Sequence, residues 1–225
     1  MARGQPVRRD PPVAWWRLRY SKQGPLRFAS ARDLARLMER ALKRAAVPVA
    51  YSSGFSPHQR VSYAYPAPTG AASLAEYMLV GLTARADPQA LRCQLDEVLP
   101  GLRIEGADLT NDKHLAPQLQ ASQWRIDWPA GGFDLVGAVN RFWAADRVVI
   151  QRRAKSTTSD QDIKGAVVSL AAVGSLAQPA LSAVLRQSDP LIRPTDLLAG
   201  LGLSGGLLTR QAQGGLAGRD VINLV

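Results

Sequence analysis

The sequence predicts an α+β protein made of two tandem β-α-β-β-α-β units. Three observations predict it. Short strand-like alternations and amphipathic helical runs follow one another in that order between residues 13 and 110. The same order recurs between residues 123 and 225, after a polar stretch at 111–122 that reads as a linker. With 46% hydrophobic residues in 225, the chain has enough apolar material for a real core. The order is that of the ferredoxin-like, or split βαβ, arrangement.

Residues 1–12 read as a disordered basic tail, with three prolines and no periodicity. Val13 to Tyr20 alternates as a strand. Ala14, Trp16, Leu18 and Tyr20 fall on one face, and Trp15, Arg17 and Arg19 on the other. Ser30 starts a helix, and Asp33 three positions later completes a capping-box pattern. The helix runs to about Ala46 and stops before Pro48. Leu34, Leu37, Met38, Ala41 and Ala45 gather on one side, with Arg32, Arg36, Arg40, Lys43 and Arg44 on the opposite side. Tyr51 to Arg60 is a loop turning at Gly54 and Pro57. Strands follow at Val61–Tyr65 and Ala75–Leu82, a helix at Pro88–Leu99 and a strand at Leu102–Leu109.

The second half predicts a strand at Gln123–Trp128, a helix at Phe133–Ala145 and a strand at Arg147–Arg153. Ser156–Asp162 reads as a polar loop. Strands are expected at Ile163–Leu170 and Ala180–Leu185, a short helix at Pro194–Leu201, and a closing strand at Leu207–Gln211.

All the excess positive charge lies in the first 60 residues. They hold 13 Lys/Arg against 3 Asp/Glu, whereas the rest holds 15 against 15. A local positive field draws a polyanion to one surface. Arg32, Arg36, Arg40 and Lys43 form a stripe with only Glu39 beside it. An ordinary solvated face mixes signs, because like charges four apart repel. Trp15, Arg17 and Arg19, with Lys22 and Arg27 in the next loop, form a second group. An aromatic among arginines on a sheet face stacks a base while holding phosphates. The duller alternative is that Trp15 packs against the second unit. The loop presents Ser53, His58 and Arg60 as phosphate donors. Its structural alternative makes Phe55 a core plug and His58 a bystander. Arg152, Arg153 and Lys155 are either a further phosphate contact or a solvated strand end.

Other chemistry has little support. The single cysteine, Cys93, forms no internal disulfide, and no Cys/His set has metal-ligand spacing. Phosphate-binding glycine loops are absent. No metal and no cofactor are expected. The most apolar stretch, 165–177, is too short to cross a bilayer. A cytoplasmic protein without membrane association is therefore expected.

Over Arg17–Tyr77, and above all at VPVAYSSGFSPHQR, the chain resembles the radical SAM-linked proteins. That is a bacterial domain of uncharacterised function, found fused to B12-binding radical SAM proteins or free-standing near ribonucleases of the E/G type. Weaker echoes continue at RRAKSTTSDQDIKG and IRPTDLL. The resemblance implies a radical SAM protein or a ribonuclease E/G as partner. This chain departs from the family at Ser30-Ala31-Arg32-Asp33, where Ser-His-Leu-Asp is usual, at Met78–Gly81, and at Gln59, where a proline usually follows the histidine. It also lacks the cysteine set of a radical SAM cluster.

The leading expectation is a non-catalytic RNA-binding accessory protein acting with an RNA-processing or RNA-modifying enzyme. Its contacts would be Trp15, Arg17, Arg19, Lys22, Arg27, Arg32, Arg36, Arg40, Lys43, Ser53, His58 and Arg60. One alternative is a module docking on a radical SAM enzyme or ribonuclease. The other is a metal-independent endoribonuclease using His58 with Arg60 or Tyr51.

Overall fold

The computed structural model describes residues 8–99, 101–154, 157–175 and 177–225, with the side chains of 153, 154 and 157 left aside. The protein is a sheet-rich α+β protein with four α-helices and eleven strands among the described residues. It divides into two compact units. One runs to Gln118 and takes in Val225, and the other is Leu119–Leu224. No helix among the described residues is long and apolar enough to cross a membrane.

The first unit contains β1 (Ala14–Lys22), α1 (Ala31–Arg44), β2 (Val61–Ala64), β3 (Ala72–Leu82), α2 (Pro88–Asp96) and β4 (Arg103–Thr110). Its sheet runs β4-β1-β3-β2, and every neighbouring pair is antiparallel. The alternation of β1 sets its inward face. Trp16, Leu18 and Tyr20 are buried in one cluster with Leu34, Met38 and Leu42 of α1, Leu91 and Leu95 of α2, and Met78, Val80 and Leu82 of β3. Both helices therefore cover the same face of the sheet. Trp15, Arg17 and Arg19 point to the opposite face, as the period of two requires.

The α1 helix begins where its sequence signal places it. The Ser30 Oγ accepts the Asp33 N–H at 3.2 Å and donates to the Asp33 carboxylate at 2.6 Å. It ends on Ala46, whose φ of +51° is left-handed, and the Val47 N–H then reaches the Leu42 carbonyl at 3.1 Å. Two glycines in this unit permit close approaches. A Cβ at Gly81 would meet Pro12 Cγ at 2.8 Å, and one at Gly106 would meet the Val225 carbonyl carbon at 2.7 Å.

The second unit contains β5 (Ala121–Asp127), α3 (Leu135–Ala144), β6 (Val149–Ala154), β7 (Thr157–Asp162), β8 (Val167–Gly174), β9 (Pro179–Arg186), α4 (Pro194–Gly200), β10 (Leu207–Ala217) and β11 (Asp220–Asn223). Here the strands run β10-β5-β9-β8, again antiparallel, with β11 on β10. The β6–β7 pair is a separate two-stranded sheet.

Two sequence expectations change here. The Arg147–Arg153 segment does not join the main sheet but forms one arm of an inserted hairpin. Most of the expected polar loop, Ser156–Asp162, is the other arm, with Ser156 itself outside the described residues. The strand TTSDQD contains no apolar residue, so alternation could not reveal it. Lys164–Ala166 is a 3-10 turn, so the following strand starts at Val167.

Candidate nucleic-acid interface

The amphipathic pattern of α1 dictates its placement. Leu34, Met38, Ala41 and Leu42 are buried against the sheet, so the opposite side must face solvent. Arg32, Arg36, Arg40, Lys43 and Arg44 are all exposed there. Among the described residues, none of these five side chains has a hydrogen-bond or ion-pair partner. Of the two acids on the helix, Asp33 serves the cap and Glu39 stands beside the stripe. Beneath α1, the Tyr63 phenol of β2 donates to the Ala35 carbonyl at 3.4 Å. Its pKa is pushed up, first by burial and then by the Glu39 carboxylate.

The arginines of β1 have a different fate. Arg17 donates Nε to Asp108 Oδ1 at 2.9 Å, Nη2 to Asp108 Oδ2 at 2.5 Å and Nη1 to Gln118 Oε1 at 2.5 Å. That fork is a bidentate pair with a third bond added. Arg19 donates Nε to the Val225 carbonyl at 2.5 Å. Trp15 is half-buried. Lys22 is 1% exposed and donates its ammonium to the carbonyls of Ala67 and Pro68 at 3.0 and 3.2 Å. It is unable to meet a ligand, because strand β1 ends with three consecutive buried residues and carries Lys22 inward. Arg27 donates Nε to the Gly70 carbonyl at 2.6 Å, while its guanidinium lies 5.2 Å from the Phe28 ring centre.

The loop residues are dispersed in role. Ser53 is exposed and tied to Arg9, accepting its N–H at 3.0 Å. His58 is exposed, and its backbone N–H donates to the Ser52 Oγ at 3.0 Å. Arg60 is half-buried and donates Nε to the Tyr51 carbonyl at 3.3 Å. In the second unit, Arg152 is held by the Asp196 carboxylate and the Leu191 carbonyl. Lys155 and the Arg153 side chain lie outside the described residues.

The twelve expected contacts therefore separate. Arg32, Arg36, Arg40 and Lys43 share one solvent-facing helix surface. Arg17 and Arg19 occupy the far side of the same sheet and are satisfied internally. What sequence reading missed is aromatic. Phe28 is 66% exposed, only four residues ahead of Arg32, and Phe55 is 72% exposed rather than a core plug. An exposed apolar ring near a basic stripe was not distinguishable by periodicity from a core residue. Among the described residues, no group of His, Cys, Asp or Glu is arranged to hold a metal ion. A cavity of about 700 Å³ in the second unit is lined by residues such as Phe133, Val136 and Val173, with Asp134 its one charged group. It does not suit a polyanion.

Over residues 16–194 the chain matches the family model described as "Uncharacterized protein conserved in bacteria (DUF2344)", and it belongs to that family. No curated protein matches it. Among solved structures it is similar to a crystal structure of an unknown protein from Galdieria sulphuraria. The two are 12% identical, with 84% of this chain and 89% of the other covered, at a TM-score of 0.26. A likeness that low carries no argument.

Proposed function

We propose that this protein is an RNA-binding accessory protein whose contact surface is the outer face of α1. One observation carries the reading. Five cations stand on one solvent-facing helix side, and none has a partner among the described residues. Such a stripe stores repulsion that a phosphate backbone relieves, with release of counterions. Phe28 supplies an exposed ring ahead of the stripe for stacking a base, a contact tolerant of sequence. Those features suit single-stranded RNA held by its phosphates.

Several finer expectations accompany the proposal. The two β-α-β-β-α-β orders read as ferredoxin-like units, the second carrying an inserted hairpin. The resemblance to radical SAM-linked proteins supports a radical SAM RNA-modifying enzyme, or a ribonuclease of the E/G type, as the enzyme assisted in the cytoplasm. Because the protein reads as an adaptor, chemistry would be supplied by that partner. Among the described residues no side chain is hydrogen-bonded to the His58 ring to serve as its activating partner.

The test is the salt dependence of binding to a short single-stranded RNA. Four phosphates neutralised by Arg32, Arg36, Arg40 and Lys43 give a log–log slope of about −2.8. A slope near zero, or no binding at low salt, refutes the reading. Complex formation with a candidate enzyme that survives nuclease treatment and is abolished by reversing the same charges would replace it with a protein-docking role.

A further inference from the structure

A second basic feature lies beyond the C-terminal end of α1. Residues Pro48–Ala50 run along the end of β3. The Ala50 N–H donates to the Gly81 carbonyl at 2.7 Å, and the Thr83 N–H to the Pro48 carbonyl at 2.8 Å. The segment entering β1 is held at the same place, because Pro12 lies against the bare Cα of Gly81. A second tie comes from Ser53. Its hydroxyl accepts the Arg9 N–H at 3.0 Å and donates to the Arg9 carbonyl at 3.3 Å. Between the two segments lies a cavity of about 410 Å³, whose lining includes Arg8, Arg9, Asp10, Val13, Val49 and Tyr51. That volume is within the range of small-molecule sites.

The charged groups are disposed for a ligand. The Arg9 guanidinium lies 5.4 Å from the centre of the Tyr51 ring, within cation–π reach. Among the described residues, the side chains of Arg8, Arg9 and Asp10 have no hydrogen-bond or ion-pair partner. Arg9 is thus pinned through its backbone and lies beside a ring, while its N–H fork is unspent. Two guanidiniums against one carboxylate favour a single phosphate over a long polyanion. The valines and the tyrosine ring supply a flat apolar wall beside it.

We infer that this pocket binds a nucleoside phosphate, with the phosphate on Arg8 and Arg9 and the base against Tyr51 and Val49. It shares no residue with the α1 stripe and does not rest on the RNA reading. The ligand is either a free mononucleotide or the phosphorylated end of an RNA.

Calorimetric titration of the full chain at low salt tests it, with adenosine 5′-monophosphate, adenosine and inorganic phosphate as probes. The monophosphate should bind roughly tenfold or more tighter than either fragment. Arg9→Ala should lose roughly tenfold, Tyr51→Phe should retain binding through its ring, and the exposed Lys113→Ala should leave it unchanged. Oligoadenylates with a 5′-phosphate or a 5′-hydroxyl identify the source. Preference for the phosphorylated end over the mononucleotide supports an RNA terminus, and the reverse supports a free nucleotide. The inference fails if neither phosphorylated probe outcompetes its unphosphorylated counterpart, or if a folded Arg9→Ala protein binds as the wild type does.

Discussion

The outer face of α1 and the outer face of β1 hold arginines at similar density, yet they end in opposite electrostatic states. On α1 the guanidiniums stand in solvent with no partners among the described residues. On β1, Arg17 is locked to Asp108 and Gln118, and Arg19 to the Val225 carbonyl. The acid that neutralises Arg17 comes from β4, 91 residues away, through strand pairing. The lesson is that a cluster of positive residues in a chain is not a cluster of positive charge on its surface. Opposite faces of a sheet are separated by a single residue in sequence and by the whole layer in space.

The sharpest way to break the comparison is stability. Arg17→Ala leaves the half-exposed Asp108 and Gln118 without their fork and should cost about 1–2 kcal/mol in chemical denaturation. Arg36→Ala should stay within about 0.5 kcal/mol of the parent. Equal losses would mean that the two faces are alike after all.

RNA binding should sort the faces the other way. The pair Arg36→Glu and Arg40→Glu should weaken binding by roughly tenfold and flatten the salt slope by about 1.4. Arg17→Ala should leave the affinity of the folded fraction unaltered. A stronger loss from Arg17 than from the helix pair would move the interface to the sheet.

A smaller effect concerns how α1 is presented. Ala46 holds a left-handed φ of +51°, a conformation that favours glycine. Ala46→Gly should therefore stabilise the unit by about 0.5–1 kcal/mol, read as a raised denaturation midpoint. No gain, or a loss, would show that this helix end is not strained.

The smallest effect belongs to the second unit. The pKa of the half-buried Asp162 is lowered, chiefly by the Lys164 N–H, with the Arg147 guanidinium and the Val148 N–H adding to it and desolvation opposing it. A depressed folded-state pKa gives stability that is present above the usual carboxylate value and is lost as pH falls through the folded one. Asp162→Asn should accordingly remove a slight acid-side dependence of stability below about pH 4. An unchanged acid limb would remove Asp162 from this account.

Much of the first unit was legible because its signals are local. Ser30 and Asp33 announce the start of α1, and the period-two pattern of β1 identifies Trp16, Leu18 and Tyr20 as core. In the second unit the wholly polar β7 escaped notice, because Thr158, Ser159 and Asp160 are exposed and the strand has no apolar residue to write a buried face into its sequence. Lys22, expected as a loop contact, and Phe55, a core plug only in the structural alternative for its loop, lie on opposite sides of the surface. The aromatic ring is in solvent and the ammonium is inside, because carbonyls from Ala67 and Pro68 satisfy it there.

Taken alone, the sequence determined the alternation of elements, the buried side of α1 and the confinement of excess charge to the first 60 residues. These depend on composition and on periods of 2 and 3.6 residues, which any short window contains. Only the tertiary structure decided which cations remain free, because pairing is set by residues far apart in the chain. It also placed Arg9 over Tyr51, a contact spanning 42 positions that no local pattern encodes.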